Sequence, residues 1–287
     1  MQPRLAAIAL VPALLLTAPW LYAQDAAPPS APETSGGSPF QRGWYAEQGI
    51  ELPLPFGAGL NYVFMDRDIE VTDVSVTVLD RPPESISDRA SFAVANRTSL
   101  SMVRFDAWAL PFLNLYVMAG ETQSDTNLVT SFEIDRPLGE PIPVVIEQNQ
   151  QVDGPLYGGG ATVVAGQGAM FIMADANYCR SDLDAFDGIL DAWFVSGRVG
   201  WNHTTSRLQL RAWAGVAYLD SRRVLTITTD LPNIGTAKVE VDQQPVNPTT
   251  LELGGSMGIN RHWDLLLEAG SNFDDAFLTV FSGSYRF

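Results

Sequence analysis

Three patterns in the sequence predict an all-β chain whose strands close into a transmembrane, antiparallel up-and-down barrel of about ten strands. Ten segments carry apolar residues at every second position, the connections between them alternate between short and long, and aromatic residues gather near the segment ends. Strand side chains point alternately to opposite faces, so an apolar parity facing a small or polar one marks a wall with lipid on one side and a lumen on the other.

The first segment is Phe56 to Met65, with Phe56, Ala58, Leu60, Tyr62 and Phe64 opposed to Gly57, Gly59 and Asn61. Ser101 to Ala109 and Leu113 to Glu121 form a hairpin through Leu110-Pro111-Phe112, with Val103, Phe105, Leu115 and Val117 opposed to Arg104, Asp106, Asn114 and Tyr116. Tyr157 to Ala165 and Met170 to Tyr178 turn at Gly166-Gln167-Gly168. Trp193 to Asn202 pairs with Leu208 to Leu219, and Leu251 to Ile259 with Trp263 to Ser271 through Asn260-Arg261-His262. Phe277 to Phe287 completes ten. Ile69 to Val78, Val224 to Thr229 and Lys238 to Val241 also alternate; they read as hairpin extensions above the membrane, with twelve membrane strands as the alternative.

Connections near residues 110, 167, 204 and 261 are short, whereas 66 to 98, 122 to 154, 179 to 191 and 220 to 249 are long. Short periplasmic turns and long extracellular loops are the habit of outer-membrane barrels. The long segments are acidic: 121 to 153 sets seven acids against Arg136, and together the outer segments hold nearly all of the net charge of −16. The apolar parity holds almost no charge, as lipid contact demands, since an Arg or Lys at mid-bilayer costs roughly 2 to 4 kcal/mol. A secreted soluble β-sandwich also alternates. It has no need of a chargeless apolar parity joined to alternating loop lengths.

Upstream, Arg4 precedes an apolar run from Leu5 to Leu16, and the small Ala23 stands where signal peptidase would cut, a signal peptide (1–23) by charge, length and flank. The run is short for a spanning helix, and every later hydrophobic run is broken by a polar residue or glycine. Residues 24–53, rich in Pro, Ser and Ala, read as a periplasmic linker and lead-in, leaving 54–287 as the barrel. No cysteine lies near the cleavage site, and Cys179, the single cysteine, has no partner for an internal disulfide.

The final stretch, FLTVFSGSYRF, sets an aromatic face against small and polar residues and stops on Phe287. It resembles the closing strand of Gram-negative outer-membrane β-barrels, a resemblance that extends by pattern over residues 54 to 287. The run from Arg104 to Tyr116 is similar to a hairpin of uncharacterised bacterial envelope proteins and brings no substrate with it. The resemblance implies residence in the bacterial outer membrane, contact with lipid and lipopolysaccharide, and recognition of the C-terminal strand by the assembly machinery.

Candidate functional residues follow from parity. Arg104, Asp106, Asp175, Arg198, Arg211, Glu252, Asp264, Glu268 and Arg286 fall on the inward face, where charges must be paired or hydrated. Trp108, Tyr178, Trp193, Trp201, Tyr218, Trp263, Tyr285 and Phe287 are expected in the interfacial girdles. His203 and His262 sit in periplasmic turns, away from surface substrates, so no catalytic residue is assigned and no enzymatic activity is expected. Asp182, Asp184, Asp187 and Asp191 resemble a calcium loop only weakly, because the spacing misses the EF-hand pattern and the distal Glu is absent. No cofactor motif is present, and the acidic balance excludes nucleic acid as a partner. Two functions remain: a narrow conduit for small solutes, favoured by inward glycines such as Gly57, Gly160 and Gly254, or a closed barrel displaying acidic loops for adhesion, envelope stability or a partner.

Overall fold

The computed structural model describes residues 52–78, 84–85, 91–134, 142–183, 188–205, 208–231 and 235–287, so the expected signal peptide and most of the linker lie outside the described residues. Strands are β1 (Phe56–Val78), β2 (Glu84–Ser85), β3 (Ser91–Leu110), β4 (Leu113–Ile134), β5 (Ile142–Gln167) and β6 (Met170–Leu183). They continue with β7 (Gly188–Thr204), β8 (Gln209–Leu231), β9 (Gly235–Pro245), β10 (Thr249–Gly258), β11 (Trp263–Ser271) and β12 (Ala276–Arg286).

Ten of these form a closed antiparallel ring, β1-β3-β4-β5-β6-β7-β8-β10-β11-β12, which β12 completes by pairing with β1 from Gly57↔Arg286 to Arg67↔Ala276. The remaining two lie above it: β2 makes a two-residue bridge to β1, and β9 pairs with the upper ends of both β8 and β1. This extra strand exists because the β11–β12 hairpin is short. Its turn closes early as the Asn272 side-chain oxygen accepts the amides of Asp274, Asp275 and Ala276. Above the turn, β1 has no β12 to pair with, and β9 takes that edge. A break at Val246-Asn247-Pro248 separates β9 from β10, although both run along β8.

The segments expected as long loops are in large part strand. β1 continues to Val78, β3 begins at Ser91, β4 reaches Ile134 and β5 begins at Ile142. Period two persists through them while the outward face changes character: Phe105 and Val117 below give way to Arg97, Gln123, Asp125 and Asn127 above. The inward parity there is Asn96, Thr98, Thr122, Ser124 and Val152, all buried. The wall therefore outlasts the lipid, and only its outer chemistry switches.

Burial is inverted relative to a water-soluble domain. Leu60, Leu253, Phe105, Val117, Val199 and Leu267 are exposed on the outside, whereas Asp175, Glu252 and Glu268 are buried within. Trp193 and Trp201 bound the apolar stretch of β7; eight residues span about 27 Å along a strand, or about 20 Å of height at the usual tilt. An apolar belt of that height around a ring with no free edge suits hydrocarbon, where every backbone group must be paired internally.

Leu253, 70 % exposed at the middle of β10, tests the orientation directly. Leu253→Arg is expected to destabilise the barrel by about 2 to 4 kcal/mol in phospholipid vesicles, read from denaturant unfolding, and to leave it nearly unchanged in a soluble sandwich.

Candidate functional site: a charged lumen

The inward face of a strand alternates with its lipid face, so each charged residue of the right parity is delivered to the lumen by backbone geometry alone. What the side chains then do is set by the residue between them. Antiparallel partners share a face, and across three consecutive strands an inward glycine in the middle leaves a shallow saddle over which its two neighbours can meet.

This arrangement recurs. Arg198 on β7 is in register with Gly215 on β8, which is in register with Glu252 on β10. Arg198 Nε donates across the glycine to Glu252 at 3.0 Å, and Nη2 donates to Glu268 on β11 at 2.8 Å. A Cβ on Gly215 would lie 2.7 Å from Arg198 Cγ and 2.5 Å from a backbone oxygen. Trp213 on β8 crosses Gly254 on β10 in the same way and donates its indole N–H to Glu268. Tyr116 on β4 crosses Gly160 on β5 and donates to Asp175 at 2.9 Å, where Thr162 and Asn177 also donate. Arg286 on β12 crosses Gly57 on β1 to pair with Asp106 on β3 at 2.8 Å.

These contacts form two layers. The middle layer is Arg198, Glu252, Glu268, Trp213, Asp175 and Tyr116; side-chain exposure is 10 % for Arg198, 0 % for Glu252 and 5 % for Glu268. The layer nearer the short turns holds the Arg286–Asp106 pair, Asn114 donating to Asp106 at 2.7 Å, and Arg211 paired with Asp264. Arg104 links the layers: it donates to Asn114 at 3.2 Å and lies 3.6 Å over the Tyr116 ring, a cation–π contact in place of an acid. All nine residues assigned to the lumen thus face it and join one of these contacts.

Room attributed to the inward glycines is already occupied. A Cβ at Gly254 would meet the Trp213 indole at 2.6 Å, one at Gly57 the Asp106 carboxylate at 2.5 Å, and one at Gly160 the Tyr116 hydroxyl at 2.6 Å. The glycines seat neighbouring side chains rather than widen the lumen. Parity identifies the charges, whereas the saddles emerge only once the register is known.

Of the aromatics assigned to girdles, Tyr178, Trp193 and Tyr218 lie toward the outer end of the lipid face, with Tyr178 and Trp193 rings 5.1 Å apart. Trp201, Trp263, Tyr285 and Phe287 form the girdle at the short-turn end, Tyr285 standing 5.1 Å from Trp263 and 6.4 Å from Phe287. Trp108 does not belong there. It shares the parity of Arg104 and Asp106, turns inward, and has the Arg286 guanidinium 5.7 Å from its ring centroid. Its aromatic type suggests a girdle, but strand direction decides the face.

His203 stacks on Trp201, and His262 stacks on Tyr285 with Nδ1 2.7 Å from the Arg286 carbonyl oxygen, so both cap that girdle. Cys179 follows the inward parity of Asp175 and is partly buried. Asp184 and Asp187 lie outside the described residues; Asp182 and Asp191 each stand 3.8 Å from Arg180, and Tyr178 donates to Asp191. Among the described residues no three metal-binding side chains cluster.

A closed ring, an apolar outer belt and a charged interior leave a bilayer as the surroundings that satisfy all three. The chain is a membrane-spanning β-barrel. No family model matches the sequence, and no curated protein matches it. Among solved structures it is similar to the outer membrane protein OprG of Pseudomonas aeruginosa, at 10 % identity and a TM-score of 0.41 over 83 % of this chain and 97 % of that one. It is also similar to the β domain of the Bordetella autotransporter BrkA, at 8 % identity and a TM-score of 0.36 over 80 % and 100 %. A third is the toluene transporter TbuX of Ralstonia pickettii, at 9 % identity and a TM-score of 0.34 over 82 % and 90 %.

The saddle at Gly215 predicts a specific sensitivity. Gly215→Ala is expected to cost about 1 to 3 kcal/mol by forcing Arg198 and the neighbouring backbone apart, measured by unfolding in vesicles. Gly197→Ala, where nothing lies within 4 Å, is the control, expected to change stability by less than about 0.5 kcal/mol.

Proposed function

We propose that the barrel is a narrow, gated conduit for small polar solutes rather than an enzyme, and that the Arg198 layer is its gate. The observation carrying this reading is the material of the obstruction. Ion pairs are a weak means of stabilising an interior, because burying the charges offsets most of their attraction, and apolar residues of similar volume close a lumen at least as stably. Here the layer centres on a guanidinium shared between two carboxylates on different strands, with Trp213 and the Tyr116–Asp175 pair beside it. Such a contact can exchange partners without unfolding the wall. Glu252 Oε1, Ser196 Oγ and Ser256 Oγ are buried without a partner in the protein, which calls for water or a polar solute along the same path.

A second reading, a closed barrel that presents its acidic outer wall to lipopolysaccharide or a partner protein, is favoured by the low exposure of Arg198, Glu252 and Glu268. Planar-bilayer recording of refolded protein separates the two. The conduit reading expects small, fluctuating conductance steps in the unaltered protein and a several-fold longer open time in Arg198→Gln. Silence from both proteins, with folding intact by the mobility difference between boiled and unboiled samples, rejects the conduit in favour of the closed barrel.

A further inference from the structure

Above the two charged layers the lumen changes character. Its described wall there is Asn96, Thr98, Thr122, Ser124 and Thr126, joined by side-chain hydrogen bonds such as Asn96 Nδ2 to Ser124 Oγ at 2.7 Å and to Thr126 Oγ1 at 2.9 Å. Into this neutral wall projects Arg67 of β1. It is in register with Asn96 on one side and Ala276 on the other, shares their inward face, and is 4 % exposed.

Arg67 differs from the lumen arginines below it. Nε and Nη1 are both buried and neither has a hydrogen-bond partner in the protein. Among the described residues no carboxylate lies within ion-pair distance of it. Asp275, the residue before Arg67's β12 partner Ala276, is held by the Asn272 side chain through Oδ1, while its Oδ2 is itself buried and without a donor among the described residues. A buried guanidinium with two unpartnered nitrogens thus stands near a carboxylate with one buried, unpartnered oxygen. A chloride ion would serve the first and not the second. A molecule serving both must present acceptor oxygens to Arg67 and an O–H to Asp275.

The geometry points to a binding site for a small hydroxylated oxyanion at the outer end of the lumen, held by Arg67 and Asp275, with hydrogen phosphate the simplest member of the class. Guanidinium donates charge-assisted N–H bonds to the oxygens of such an anion. Asp275 then discriminates by protonation: hydrogen phosphate has an O–H to donate, whereas sulfate, of the same shape, has none at neutral pH. Placed before the Arg198 layer, the site would select what reaches it. This role rests on the conduit reading, although binding itself does not.

Binding is therefore measured without conduction, as the thermal unfolding midpoint of refolded protein titrated with sodium phosphate, sodium sulfate, or sodium chloride at matched ionic strength, at neutral pH. Sulfate and phosphate both raise midpoints non-specifically, so the difference between them is the reading. A saturable rise in phosphate beyond that in sulfate is expected. Arg67→Gln should abolish the difference, Arg67→Lys should move half-saturation to at least several-fold higher phosphate, and Asp275→Asn should erase the preference while retaining an anion response. Equal effects of phosphate and sulfate on the unaltered protein overturn the assignment, as does a preference that survives Arg67→Gln. If Arg67→Gln does not fold, Arg67→Lys and Asp275→Asn decide in its place. Binding without conductance would remove the conduit and keep the site; conductance without binding would do the reverse.

Discussion

Everything in this barrel follows from the requirement that no backbone amide or carbonyl meet hydrocarbon unpaired. The pairing of β1 with β12 meets that requirement for the ring as a whole, and it reaches the last residue: Phe287 and Phe56 exchange backbone bonds, Phe287 donating at 2.9 Å and Phe56 at 3.2 Å. Once the ring is closed, its register fixes which residues stand side by side, and alternation divides them between lipid and lumen. A slip of one residue in β12 would turn Arg286 into the bilayer and Phe281 into the interior. Polarity on the two faces therefore enforces the register as firmly as the hydrogen bonds do.

The same constraint explains the upper end of the structure. Where the β11–β12 hairpin ends, β1 would be left with an open edge, and an unpaired edge invites association with other chains. β9 takes that place, and two backbone bonds stitch the corner: Asp68 donates to Asp275 and Val246 donates to Asp68. This corner also sets Asp275 next to Ala276, the residue of β12 in register with Arg67. The topological repair and the unusual electrostatics share a cause, because the turn that ends early is the one that brings an acid beside β1.

Much of this was legible in the sequence. The parity that places Arg104, Asp175, Arg198 and Glu268 inside needs only alternation, and the belt of Leu253, Val199 and Phe105 needs the same. Three things escaped for physical reasons. The strands outrun the apolar pattern because the outward parity becomes polar where lipid ends, so β3 and β4 beyond Ser101 and Glu121 resemble loops in composition while remaining strands in period. Trp108 was assigned by residue type although its parity pointed inward. The glycine saddles and Arg67 depend on partners far apart in the chain, Gly57 with Asp106 and Arg286, or Arg67 with Asp275. Alternation within one strand carries no information about its neighbours.

The saddles also bear on why the lumen is charged at all. A side chain that lies across a neighbouring strand ties together strands that the backbone ladder connects only in pairs: Arg198 links β7 with β10 and β11, and Arg286 links β12 with β3. Apolar residues would fill the space with little preference among registers, since one packed methyl resembles another. A guanidinium whose carboxylates stand beyond a glycine is satisfied in a single register and left buried without its partners in the others, which costs roughly 3 to 5 kcal/mol when a buried pair is broken. In a barrel whose lipid face is nearly uniform in its greasiness, the discriminating information has to sit on the inner face. The charges that fill the lumen are thereby also those that specify how the wall is assembled.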